Sequence, residues 1–98
     1  MANSVRDNSA QQRYEMDIDG KSAFVTYRLS SGVMTLLHAE VPPELAGHGV
    51  GSALAQGALQ LARSQGFKVV PRCPFIASYI QKHSEFHDLL ADPQSSAS

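Results

Sequence analysis

Val41 to Ser52 reads V-P-P-E-L-A-G-H-G-V-G-S and separates an apolar run, Val33 to Val41, from an amphipathic run that extends to Gln65. The stretch is a strand-to-helix turn. Gly47, Gly49 and Gly51 remove side chains at alternating positions, so the backbone can bend through conformations closed to other residues and approach a ligand closely. The helix beyond it opens with N–H groups that lack internal acceptors and carry the positive end of the helix dipole, a setting suited to a pyrophosphate. Two better-known glycine motifs are excluded. The spacing is G-x-G-x-G instead of the G-x-G-x-x-G of a dinucleotide fingerprint, and no lysine falls between Lys21 and Lys68 to complete a P-loop. An isolated G-x-G-x-G is also compatible with a tight turn that binds nothing, so the flanks must decide.

Upstream, Tyr14, Met16 and Ile18 alternate with Arg13, Glu15, Asp17 and Asp19, the period of a half-buried strand. Asp19-Gly20 supplies a hairpin turn, Ser22 to Leu29 a second strand, and Ser30-Ser31-Gly32 a second hairpin. The third strand, Val33 to Val41, is nearly all apolar, which predicts a central strand covered on both faces. Pro42 and Pro43 cannot donate ladder hydrogen bonds, so this strand should part from its neighbour near Val41. Downstream, Val50, Leu54, Ala58 and Leu61 fall on one face of a helix from Val50 to Gln65, with Gly66 as its stop. Phe67 to Pro71 is a short strand, placed parallel to the third by a right-handed crossover. Short helices are expected over Phe75–His83 and Glu85–Leu90.

The fold class is therefore α/β with a mixed α+β sheet: three antiparallel strands, a strand-helix-strand crossover and short C-terminal helices. One domain is expected over residues 13–91. The polar stretches Met1–Gln12 and Asp92–Ser98 have little to bury and read as flexible tails. At 98 residues the chain supports a single domain. A net charge of −1 gives no electrostatic footprint for nucleic acid and no basic stripe for an anionic membrane. No apolar run reaches the length of a membrane span, and the N-terminus lacks the order of a signal peptide, so a cytoplasmic protein is expected. The lone cysteine, Cys73, cannot form an internal disulfide.

The run V-P-P-E-L-A-G-H-G-V-G-S-A-L resembles motif A of the GNAT superfamily of acyl-CoA-dependent N-acetyltransferases, whose signature is Arg or Gln, two residues, Gly, any residue, then Gly or Ala. Gly49 and Gly51 match, and Ala46 stands where the Arg or Gln is expected. The segment K-V-V-P-R-C-P-F-I-A-S-Y-I resembles a small GNAT-like subfamily, and the likeness runs from about His38 to Phe86. It implies a shortened GNAT-like fold, acetyl-CoA or CoA as acyl donor, and an unknown amine, small or on a protein, as acceptor. It further implies that the backbone at Val41 pairs with the pantetheine arm. Gly47, His48, Gly49, Val50, Gly51 and Ser52 would then cradle the pyrophosphate.

Acetyl transfer to an amine needs a held donor, a deprotonated amine, oxyanion stabilisation and a proton for the departing thiolate. The backbone N–H near Val41 is the candidate for the oxyanion. Cys73 follows Arg72 and precedes Pro74 at the mouth of a helix, features that lower a cysteine's pKa and make it a nucleophile; a buried, inert cysteine is the alternative. Glu40 is the candidate general base, with an ion pair serving stability as its other reading. His38, two residues away on the same strand, reads as a satisfied core histidine. Tyr79 stands where a tyrosine could protonate the CoA sulfur, and equally where a core aromatic would sit. His48 either touches a phosphate or is an idle loop residue. His83 and His87 have no third ligand close by, so no metal site is expected. Two readings of function stand beside the acetyltransferase: a non-catalytic CoA or acyl-CoA binding module, and a small interaction domain. Monomer and homodimer are both open.

Overall fold

Alternating apolar residues in Arg13–Ile18 and Lys21–Ser30 build an antiparallel hairpin, β2 and β3, which pairs Tyr14 with Val25 and Met16 with Ala23. Gly20 turns the chain between them at φ 79°. The computed structural model describes residues 5–18, 20–45, 47 and 49–91. Val33–Glu40 forms β4, antiparallel to β3, and Lys68–Pro71 forms β5, parallel to β4 as the crossover requires. The sheet is five-stranded and mixed, with its strands side by side in chain order.

The fifth strand lies where the sequence reading placed a tail. Val5–Asn8 is β1, an edge strand antiparallel to β2. Its anchors are distant in sequence. Tyr27 Oη donates to Asp7 Oδ1 at 2.6 Å, Gln65 Nε2 donates to Asp7 Oδ2 at 3.0 Å, and Tyr14 Oη donates to Gln65 Oε1 at 2.6 Å. Local polarity could not reveal partners 20 and 58 residues away. Met1–Ser4 and Asp92–Ser98, also read as tails, lie outside the described residues, as do Asp19, Ala46 and His48.

Val50–Ser64 forms α1, Pro74–Lys82 forms α2, and Ser84–Leu89 closes the fold as a 3-10 helix. α1 ends in a Schellman arrangement, Phe67 N to Ala62 O at 3.0 Å and Gly66 N to Arg63 O at 3.1 Å, with Gly66 in the left-handed region at φ 83°. Tyr14, Met16, Ala23, Val25, Tyr27, Met34, Leu36 and Val69 share one face of the sheet. There they form a single apolar cluster with Leu54, Ala55, Ala58, Leu59 and Ala62 of α1 and Ile76, Tyr79 and Ile80 of α2. Among the described residues, none covers the opposite face. β4 is therefore covered on one side only, in contrast to the expectation from its apolar sequence: Leu37, His38 and Glu40 are exposed.

On the open face Glu15 is nonetheless only 4% accessible, because Arg6, Asn8 and Arg13 all donate to its carboxylate. The Arg13 hydrogen bond, followed by that of Asn8, holds its carboxyl below the usual carboxylate range.

Candidate active site

β4 and β5 pair only from Val33↔Lys68 to Leu36↔Pro71. Beyond that point Arg72 N and Cys73 N both donate to Leu36 O, at 2.9 and 3.0 Å, and the chain turns into α2. Among the described residues β4 continues alone on that side, still paired with β3 as far as Glu40↔Phe24. The parting thus comes after Leu36, not at the prolines; Pro42 and Pro43 end only the ladder to β3. A bulge contributes. β3 pairs Tyr27 with Leu36 and the preceding Thr26 with His38, which leaves Leu37 as the extra residue on β4. Leu37 to Glu40 accordingly faces the gap with no β5 partner.

The turn that follows brings the start of α1 to this same end of the sheet. Leu45 N donates to Pro42 O in a 3-10 turn over Pro43–Leu45, Gly47 sits at φ 86°, and Gly49 caps α1 at φ 76°. A Cβ at either glycine would meet open space, so both are there for their left-handed backbone. The first bond of α1 runs from Ala53 N to Gly49 O at 3.0 Å, which leaves the amides of Val50, Gly51 and Ser52 at the helix mouth. An anion would meet these N–H groups and the open space around Gly47 and Gly49. Gly51 has a different reason to be glycine: a Cβ there would stand 2.9 Å from Cζ of Phe75, in the first turn of α2. The sequence reading grouped the three glycines as one cradle, whereas the third closes one helix against the other.

Cys73 is the N-cap residue of α2 with Pro74 at the first helical position, as its sequence setting implied. Its thiol belongs to the core cluster and is only 4% exposed. Phe75, two residues on, is 43% exposed beside the mouth of α1. Sequence reasoning gave Phe75 no role; an aromatic directly after Cys-Pro at a helix start was its only signal. Val41 lies just past the end of β4 and is half-buried against the core.

His38 and Glu40 do come together, with Nε2 and Oε2 3.3 Å apart on the open face. Their side chains are 61% and 62% exposed, so His38 is not a core histidine. Tyr79 lies elsewhere. Its ring stacks on His83 with centroids 3.9 Å apart and tilts against Phe86, over which Arg63 from the last turn of α1 reaches. This cluster is at the opposite end of α1 from the glycine turn. Burial, and to a smaller extent Glu85, push the Tyr79 phenol up, so it keeps its proton at neutral pH. His83 Nδ1 and His87 Nε2 each meet a carbonyl of α2, Tyr79 O at 2.8 Å and Ile80 O at 3.0 Å.

The fold is thus a mixed sheet that opens between two parallel strands, beside two helix N-termini and a cysteine. The chain belongs to the GCN5-related N-acetyltransferase family, whose model matches residues 13–89. Its fold is similar to the solution structure of a GCN5-like protein from Staphylococcus aureus, with a TM-score of 0.68 and 24% identity over 93% of this chain and 91% of that one. No curated protein matches significantly. Among the described residues, no helix is long and apolar enough to cross a membrane.

Proposed function

We propose that this protein transfers an acetyl group from acetyl-CoA to an amine in the cytoplasm, with Cys73 at the thioester. The observation that carries the reading is the unpaired edge of β4 beyond Leu36, lying at the same end of the sheet as the bare amides of α1. The pantetheine amides pair with the edge between Leu37 and Val41, as an added strand would. The pyrophosphate rests on the turn from Gly47 through His48 to Ser52, where the N–H groups and helix dipole favour an anion. An N–H of the unpaired edge faces the thioester oxygen as charge develops on it. Cys73 stands at the apex, joined to β4 through Leu36 O. It takes the acetyl group from CoA, forming a new thioester as the old C–S bond breaks, and passes it to the amine. Tyr79, turned toward His83 and Phe86, is left to the core, and the CoA thiolate draws its proton from water.

A second reading, a module that holds acetyl-CoA without turning it over, draws support from Ala46 at the signature position and from the burial of Cys73. One experiment separates the two. Calorimetric titration with acetyl-CoA and CoA establishes binding, and CoA release is then followed with a panel of alkylamines and lysine peptides. Binding with release above the spontaneous rate supports the enzyme. Binding without release with any acceptor supports the module, and absence of binding removes both.

A further inference from the structure

Along a regular strand, residues two apart share a face, so His38 would join Leu36 in the core. The bulge at Leu37 prevents this. It sets Leu36 opposite Tyr27 on the helix side and His38 opposite Thr26 on the open side, with Glu40 opposite Phe24 on that same side. A bulge re-aims side chains at a cost in ladder hydrogen bonds, and here it delivers an imidazole and a carboxylate to the open face beside the gap. Leu36 O is also the acceptor of the Cys73 amide. Measured along β3, where Leu36, His38 and Glu40 lie opposite Tyr27, Thr26 and Phe24, His38 stands one residue step and Glu40 three steps beyond that junction, about 3 and about 10 Å along the strand direction.

We propose that His38 is the base that takes the proton from the acceptor amine, and that Glu40 is its positioning residue. The inference rests on the acyltransferase reading above and replaces Glu40 as the base. Contact with Glu40 Oε2 at 3.3 Å engages Nε2, which assigns the ring proton to Nε2 and leaves the Nδ1 lone pair free. Imidazole is the side chain best matched to proton transfer near neutral pH. The acceptor arrives on the open face as an ammonium, and its proton passes to Nδ1. The freed nitrogen lone pair forms the C–N bond at the acetyl carbonyl carbon, and the C–S bond breaks with its electron pair left on sulfur. The second proton leaves the nitrogen for solvent water as the amide forms, and the imidazolium, stabilised by the Glu40 carboxylate, returns the first to the thiolate through water. Arg13, next along the cross-strand row beyond Thr26, lies over the Phe24 ring and is paired with Glu15, so its charge is already neutralised.

The test compares acceptors that differ in their need for a base. CoA release from acetyl-CoA is measured with two alkylamines, benzylamine and Nα-acetyl-lysine amide, and with hydroxylamine, which is already neutral at pH 7. His38→Ala and His38→Gln should lower the alkylamine rate by on the order of 100-fold or more, while the hydroxylamine rate and the affinity for CoA stay close to wild type. Glu40→Gln should lower kcat with alkylamines without raising KM for acetyl-CoA, and Glu40→Asp should restore part of the lost kcat. A carboxylate with a merely structural role would lower the rates with alkylamines and hydroxylamine alike. Retention of the alkylamine rate in His38→Gln, or equal loss with all acceptors, overturns the inference. So does a wild type active on hydroxylamine alone, an outcome that spares acyl transfer. Absence of release with every acceptor removes the acyltransferase reading and this inference with it.

Discussion

Phe75 and Gly51 are matched across the mouths of two helices: the ring of Phe75 lies where a methyl group on Gly51 would be 2.9 Å from its Cζ atom. The contact is with the far end of an exposed side chain, so the ring can yield. Glycine inside a helix costs about 1 kcal/mol relative to alanine. Gly51→Ala in the wild type should therefore change stability little, as helix propensity gained is offset by displacement of Phe75. In a Phe75→Ala background the same substitution should stabilise by about 0.5–1 kcal/mol. Urea denaturation of the four variants measures the coupling, and equal effects in both backgrounds would show that the two residues do not compete for space.

Gly57 presents the opposite case. A Cβ there would stand 2.4 Å from Val5 Cγ2 and 2.8 Å from Val5 Cβ, so the obstacle includes the root of a β-branched side chain on a paired strand. Gly57→Ala should destabilise by about 1–3 kcal/mol despite its better helix propensity, with increased hydrogen exchange in β1. Val5→Ala should restore part of the loss. If Gly57→Ala is neutral, β1 is not clamped against α1.

These two glycines show what the sequence carries and what it hides. The alternation of Tyr14, Met16 and Ile18, and the spacing of Val50, Leu54 and Ala58, report a local period, and the hairpin β2–β3 and helix α1 follow from it directly. β1 has no such period. It is held by Gln65, Tyr27 and the missing side chain of Gly57, all remote in sequence. The glycine turn and Cys73 were legible as a candidate site because their chemistry is local. His38 was misjudged because a single inserted residue, Leu37, reverses the face of everything after it, and nothing in V-M-T-L-L-H-A-E marks where a bulge falls.

Acid sensitivity should trace to Glu15. Its carboxyl is held below the ordinary value of 4.5, chiefly by the Arg13 hydrogen bond, then by Asn8 and more weakly by the charges of Arg13 and Arg6. A depressed carboxylate contributes stability above its unfolded value and loses that contribution as pH falls through the lower folded value. Denaturation midpoints measured from pH 7 downward should thus decline below about pH 4.5 in the wild type. Glu15→Gln should be less stable at pH 7 and show a shallower decline. A variant with the wild-type acid slope would assign the effect to another group, Asp17 beside Arg6 first among them.

Cys73 offers the sharpest separation of chemistry from binding. Its thiol sits in the apolar cluster at the N-cap of α2, and its backbone N–H is bonded to Leu36 O whatever the side chain. Cys73→Ser keeps that backbone bond but puts a hydroxyl where a weakly polar sulfur was buried, at a cost of about 1–3 kcal/mol if the hydroxyl finds no partner. Cys73→Ala avoids that cost, so a folded variant is available for either outcome. Both should bind CoA with near wild-type affinity, since the amides of Val50, Gly51 and Ser52 are untouched. Acyl transfer should fall in both, and wild-type protein mixed with acetyl-CoA and quenched in acid should carry an added acetyl group on the peptide containing Cys73. Wild-type turnover in Cys73→Ala would mean that the amine attacks acetyl-CoA directly. The cysteine would then be a core residue whose place at the apex of the β4–β5 gap follows from α2 starting there.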